Sequence, residues 1–216
     1  MRHFSDLAFT RRSIRKFQDR DIPLGEVEEL VKVAVSAPSG CNSQCWRFVV
    51  VKDKELMQRM AAAAMQKISE AVAVIQPELP AEYLAAKQKA VGFFTKAPVV
   101  IAIFLTPYQY YDPVLEGALQ KSGIRDAGLM EVFAWPDVLS IGAAAQNLLL
   151  AAHEKGYGAC WMNEPAIAGA EIGKILQEPA AHRLISLIPI GWPAYTPREK
   201  KMKEFSQVFS VFPGIT

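Results

Sequence analysis

Four cations and one hydroxyl fall within the heptapeptide RRSIRKF, where Arg11, Arg12, Arg15 and Lys16 surround Ser13. Arginine forks donate in parallel to phosphate oxygens and a hydroxyl adds a further donor, so the segment has the chemistry to wrap a phosphate from several sides. A basic heptapeptide standing alone also describes a plain solvated surface. The second concentration of polar groups is APSGCNSQCWRF, Ala37 to Phe48, which places Ser39, Asn42, Ser43 and Gln44 in one short stretch. Small amides and hydroxyls in a rigid turn suit a ligand with many hydrogen-bonding edges, or a turn that satisfies its own backbone.

The patterns of several other chemistries are missing. There is no glycine-rich phosphate loop with its Lys-Ser/Thr, no GxGxxG, no GxSxG and no HExxH. His3, His153 and His182 are too widely separated for a metal-ligand spacing, so no metal is expected. Cys41, Cys45 and Cys160 read as small buried hydrophobes. No side chain stands out as a nucleophile or other catalytic group, and a bound cofactor is expected to carry any reaction.

These clusters need elements to hold them. From Pro23 onward Val27, Leu30, Val31, Ala34 and Val35 recur at helical spacing, and Pro38-Ser39-Gly40 ends that helix. Trp46 to Val51 is aromatic and β-branched and reads as a buried strand, closed by Lys52-Asp53. Helix is expected over about Glu55 to Ile75 and again near Ala81 to Phe93, and Pro98 introduces a second strand, Val99 to Leu105. The stretch 106–136 has no clear period and carries Pro107, Tyr108, Tyr110, Tyr111, Pro113 and Phe133, so it reads as an irregular insertion of the kind that meets substrates. Asp137 can cap a long helix running to about Lys155, apolar nearly all round and so buried in a core or an interface, with Gly156 at its end. Leu184 to Ile190 is a third strand, stopped by Gly191-Trp192-Pro193.

Composition narrows the function classes. The 216 residues are 51% apolar and 21% charged, enough for a sizeable core, and no linker divides them, so a single domain over 1–216 is expected. Twenty-four basic and 22 acidic side chains nearly cancel, which argues against a protein that coats nucleic acid or an anionic membrane. No apolar run approaches the ~20 residues that span a bilayer, and three cysteines make no disulfide framework, so a cytoplasmic protein is expected.

Taken together, the motifs resemble the nitroreductase family. RRSIRKF looks like its N-terminal flavin-phosphate segment, and PSGCNSQCWRF looks like its P-S-x-x-N-x-Q-P-W-x-F signature, with Cys45 where the family has proline. The apolar helix followed by GYGACWMNEP, Gly156 to Pro165, is similar to the helix and G-x-G-x-x-W loop beside the flavin ring. ISLIPIGWP and the basic run Arg198 to Lys203 look like the last core strand and the tail that returns to the phosphate.

The resemblance implies an α+β fold, a central and mainly antiparallel sheet wrapped by helices, with the C-terminal segment, here Phe205 to Phe212, exchanged with a partner in a homodimer. It implies FMN at the dimer interface, held by Arg11, Arg12, Ser13 and Arg15 from one chain and by Pro38, Ser39, Gly40, Asn42 and Gln44 from the other. Gln146, Trp161, Met162, Asn163 and Glu164 are expected beside the ring, with Asn163 or Glu164 giving a backbone contact to N5. Lys200, Lys201 and Lys203 are candidates to reach the phosphate. The activity implied is transfer of electrons from NAD(P)H to a small oxidised molecule such as a nitroaromatic or quinone. Relatives acting on enones, halogenated aromatics or their own flavin, and a non-catalytic flavin-binding sensor or carrier, are the alternatives.

Overall fold

The computed structural model describes residues 3–75, 81–108, 112–123, 131 and 133–212. Four strands, β1 (Trp46–Val51), β2 (Val99–Leu105), β3 (Gly158–Ala159) and β4 (Arg183–Gly191), form one sheet in the order β1-β2-β4-β3. Every neighbouring pair is antiparallel. β2 is buried along its whole length, which is why VVIAIFL carries no polar residue: both of its faces are covered.

Alternation along β2 divides the core into two layers. Val99, Ile101, Ile103 and Leu105 join Ile188 and Ile190 on one face, under α2 (Leu24–Val35) and α6 (Pro136–Glu154). Val100, Ala102 and Phe104 join Leu184 and Leu187 on the other, against α3 (Lys54–Ile75) and α7 (Gly169–Ile175). A register shift between Ile103 and Phe104 bends the β2–β4 ladder. Three further helices are α1 (Phe4–Thr10), α4 (Ala81–Gly92) and α5 (Pro113–Lys121), making seven among the described residues. The α+β class and antiparallel sheet read from the sequence are those of the structure.

Four elements go beyond the sequence reading. α1 and α7 are short, and β3 is too brief to show a period. Within 106–136 the structure contains α5, started by the Asp112 carboxylate accepting from Leu115 N at 2.9 Å and by Pro113 in the first turn; Tyr110 and Tyr111 lie outside the described residues. α6 begins at Pro136, one residue before the expected cap, and Gly156 follows its end at φ 82°, where a side chain would be strained.

Candidate functional site

Beyond α1 the chain runs as an extended strap along the β3 edge of the sheet. Ser13 bridges Ala159 in parallel, Ile14 N donates to Ala159 O at 3.0 Å, and Phe17 bridges Pro193. Extended backbone throws successive side chains to opposite sides, so Arg11, Ser13 and Arg15 share a face. All three act on one neighbour, the buried thiol of Cys160: burial pushes its pKa up, and Arg15, a Ser13 hydrogen bond and Arg11 oppose the rise. Ile14 points the other way, onto Gly158, where a Cβ would stand 2.6 Å from the Ile14 Cβ. Only glycine lets the strap lie this close.

Arg11 and Arg12 are used differently. The Arg11 Nε is buried with no partner among the described residues, a leftover donor in a structure where buried donors are normally matched. The Arg12 guanidinium donates to Phe9 O at 2.6 Å and Arg11 O at 2.8 Å, closing the carbonyl end of α1. Of the four strap candidates, Arg11, Ser13 and Arg15 are brought together and Arg12 is taken up as a helix cap.

The second motif is a loop built around unusual backbone. Cys41, Asn42 and Gln44 take φ of 54°, 51° and 47°, left-handed conformations that non-glycine residues rarely adopt and that concentrate at functional loops. The Ser39 hydroxyl accepts from Gln44 N at 3.0 Å, and Gly40 N donates to Ser140 Oγ at 3.0 Å, so both serve the loop itself. Pro38, Asn42 and Gln44 are exposed, and the Gln44 side-chain amide donates to Asn42 Oδ1 at 3.4 Å. Cys45, 1% exposed, donates to Asp137 O at 3.7 Å and so anchors the loop exit to α6.

α6 also positions the third motif. Two residues after Ser140, Gly142 stands 3.6 Å, measured from where its Cβ would be, from the Trp161 ring. Gln146 is one turn further along that face and exposed. The Trp161 Nε1 is buried without a partner among the described residues. Met162 is locked to β4 by Met162 N to Leu187 O at 3.0 Å and the return bond at 2.9 Å, and the Asn163 amide donates to Ile185 O at 2.9 Å. Glu164, which opens a short 3-10 turn, pairs with Lys87 of α4.

Arg15 leaves the strap into a cleft of about 790 Å³ between α3 and α4, which also receives Lys16, Lys89 and Lys96. The sequence reading did not single out Lys89 or Lys96; at that level they are ordinary helix-surface charges, and only packing gathers them. The tail passes the strap at Pro197, which lines a smaller pocket of about 200 Å³ with Arg11 and Arg12. Lys200, Lys201 and Lys203 follow Pro197 with exposed side chains and do not line that pocket, so the structure does not gather them against the strap.

Known proteins share both sequence and fold with this chain. An iodotyrosine deiodinase from Haliscomenobacter hydrossis is 30% identical over 189 residues, covering 85% of this chain and 76% of that protein. The crystal structure of a BluB-like flavoprotein from Clostridium difficile 630 matches with a TM-score of 0.83 and 28% identity over 98% of this chain and 99% of that one. That of an oxidized iodotyrosine deiodinase bound to FMN and 3-iodo-L-tyrosine matches with a TM-score of 0.66 and 25% identity, covering 94% and 96%. The nitroreductase family model spans residues 8–192, from α1 through the strap and both loops to the end of the sheet, and the chain belongs to the nitroreductase family.

Proposed function

We propose that the protein is an FMN-dependent oxidoreductase that moves two electrons from NAD(P)H to a small oxidised organic acceptor such as a nitroaromatic or a quinone. The observation that carries this reading is the strap, where two cations and a hydroxyl share a face and the buried Arg11 Nε lacks a partner among the described residues. A phosphate monoester of roughly −1.5 to −2 charge would take up that donor. The lack of a GxGxxG fingerprint favours a mononucleotide over a dinucleotide. Bound FMN would supply the two-electron chemistry, accepting hydride from the nicotinamide and passing it to the acceptor.

The chain's own tasks are to bind and orient. Arg11 and Ser13 hold the phosphate, and Arg15 sets positive charge beside the N1 and O2 edge of the ring, where anionic character develops on reduction. Asn163 or Glu164 offers a backbone amide to N5 from a segment pinned on both sides, by Ile185 O and by Lys87. Pro38, Ser39, Gly40, Asn42 and Gln44 act on the cofactor of a second copy, with Gln146, Trp161 and Met162 lining the ring pocket.

Surface statistics support a homodimer with exchanged tails. The single chain exposes 13669 Å², against about 9,900 Å² for a compact monomer of its mass. Large apolar side chains are among what is exposed: Phe4, Phe9 and Leu139 stand out from α1 and α6, and Phe205, Val208, Phe209 and Val211 from the tail. The strap covers the β3 side of the sheet, while the outer edge of β1 is unpaired among the described residues. An open edge invites a strand, and the tail from Pro197 to Phe212 can reach about 50 Å when extended. Cys41, Cys45 and Cys160 are free thiols, in keeping with a reducing cytoplasm.

A second reading, reductive removal of halide from a halogenated phenol, is favoured by the deiodinase relatives. Denaturing the purified protein and identifying the released flavin, followed by steady-state NADH oxidation with a neutral quinone and with 3-iodotyrosine, separates these possibilities. FMN with quinone turnover supports the main reading, and iodide release supports the second. FMN without turnover on either makes the protein a sensor or carrier, and FAD, or no flavin after incubation with FMN, overturns the proposal.

A further inference from the structure

Among the described residues the cleft between α3 and α4 is lined by one sign of charge: Arg15, Lys16, Lys89 and Lys96 line it, and no described carboxylate does. The chain as a whole carries only +2, so this accumulation is local rather than a reflection of composition. Among the described residues none of the four takes part in an ion pair. Neighbouring lysines, by contrast, are spoken for: Lys87 pairs with Glu164, and Lys54 donates to the backbone carbonyls of Thr95 and Ala97. Ala61, Ala62 and Met65 of α3, with Phe93, give the same cleft an apolar lining. At about 790 Å³ the cleft falls within the size range of small-molecule sites.

We propose, on the basis of the flavin reading above, that the cleft selects an anionic acceptor. Its chemical class is a small planar ring bearing a carboxylate or sulfonate, with the ring on the Ala61–Met65 wall and the anionic group among Lys16, Lys89 and Lys96. A quinone of this class gains two electrons and two protons, one hydride from NAD(P)H and one proton from solvent, and leaves as the hydroquinone. The anionic group takes no part in that exchange and serves only to hold the ring. Partly exposed cations each contribute modestly, so three acting together should favour the anion over its neutral counterpart by about tenfold or more. Screening weakens charges exposed to solvent once the Debye length falls to a few ångströms, so the preference should shrink in concentrated salt.

The test is calorimetric titration of the flavin-loaded protein with two redox-inert probes of one shape, naphthalene-2-sulfonate and naphthalene-2-methanol, at low and high ionic strength. It is repeated on the Lys89→Gln/Lys96→Gln double variant, with flavin content measured in each preparation. The sulfonate should bind about tenfold tighter at low salt, and the difference should collapse both in high salt and in the double variant. Turnover of naphthoquinone sulfonate relative to the unsubstituted quinone should fall in parallel. Equal binding of both probes, binding of neither, or a variant that loses flavin while keeping its preference for the sulfonate would overturn the proposal. Failure of the flavin reading shows separately, as absence of FMN in the wild-type protein, and leaves the probe preference measurable.

Discussion

Lys87 of α4 and Glu164 of the loop after β3 form an ion pair that ties the outer wall of the cleft to the segment proposed to face flavin N5. The tie matters because α4 has little else: of its side chains only Val91 is buried, and its polar and apolar residues are poorly segregated. Both partners are partly exposed, so the pair adds little to global stability. Its effect is local. In Lys87→Met, amide exchange over 81–92 should quicken severalfold while β2 and β4 keep their protection, as expected when one weakly packed unit loosens alone. Uniform acceleration across the chain, or none in α4, would show that α4 is held by its packing on α3 instead.

The strap separates two adjacent arginines by function. Arg11→Ala removes a charge-assisted donor from the proposed phosphate face, and at roughly 1.5–3 kcal/mol for each such bond the FMN dissociation constant should rise by about ten- to several-hundred-fold. Arg12→Ala removes the cap of α1 and should lower the melting temperature while changing FMN affinity far less. Fluorescence titration of the apoprotein with FMN, beside thermal unfolding, reads both effects. Reversed roles would mean that Arg12 leaves its cap when phosphate arrives.

Why the sequence disclosed some of this and not the rest follows from pattern length. β2 was legible because seven consecutive apolar residues bounded by Pro98 can hardly be anything but a covered strand. The long α6 was legible for a similar reason, although its exposure of Leu139 and Gln146 was not, since SIGAAAQNLLLAA has no polar face to mark the outside. RRSIRKF stands out as a cationic cluster through residue types alone. Its face assignment was hidden because Ile14 and Phe17 fall on opposite parities and give no period of two. The bonds of Arg12 to Phe9 O and Arg11 O were hidden because α1, whose end they close, is a helix too short to notice. Lys89 and Lys96 carry no local signal at all, and their meeting with Lys16 depends on the packing of α4 over α3.

Away from the site, Glu178 should govern part of the response to acid. Its side chain is 6% exposed and lies 3.2 Å from Arg47 Nε and 2.7 Å from His182 Nδ1. Burial works to raise its pKa, but the hydrogen bonds from His182 and Arg47, with their charges, prevail and hold it below the ordinary glutamate value of 4.5. The native chain therefore binds fewer protons at this group than the unfolded chain does. The resulting stability is present above pH 4.5 and is lost as pH falls through the lower native value. Glu178→Gln should be less stable than wild type at neutral pH, with the gap narrowing below pH 4.5. Melting curves across that range check it, and a constant gap would exclude Glu178 as a source of acid sensitivity.

The tail offers the most direct test of the dimer. Phe205 and Phe209 stack on each other with ring centroids 4.8 Å apart and an interplanar angle of 19°, yet they are 70% and 54% exposed. Two large rings preorganised in solvent are an unfinished contact. A groove of about 400 Å³ beside β1, where Val49, Val51, Leu56, Ile175 and Leu176 lie among Lys52, Asp53, Arg59, Lys174 and Gln177, offers mixed apolar and polar surface on which a second chain's tail can settle. Fully burying a phenylalanine contributes about 1.5–3 kcal/mol, so Phe205→Ser/Phe209→Ser should weaken association by about a hundredfold or more. Light scattering should give twice the 23.9 kDa chain mass for wild type, and a lower mass for the variant on dilution. If tails exchange, the outward amides of β1 should lose protection in the variant, because the added strand that covers them has gone. Flavin should leave in step with dissociation, since each proposed site takes its loop, Pro38 to Gln44, from the other chain. A wild-type monomer with full flavin would end the shared-site reading, and a dissociated variant that kept its flavin would leave the exchange standing while placing the whole cofactor site within one chain.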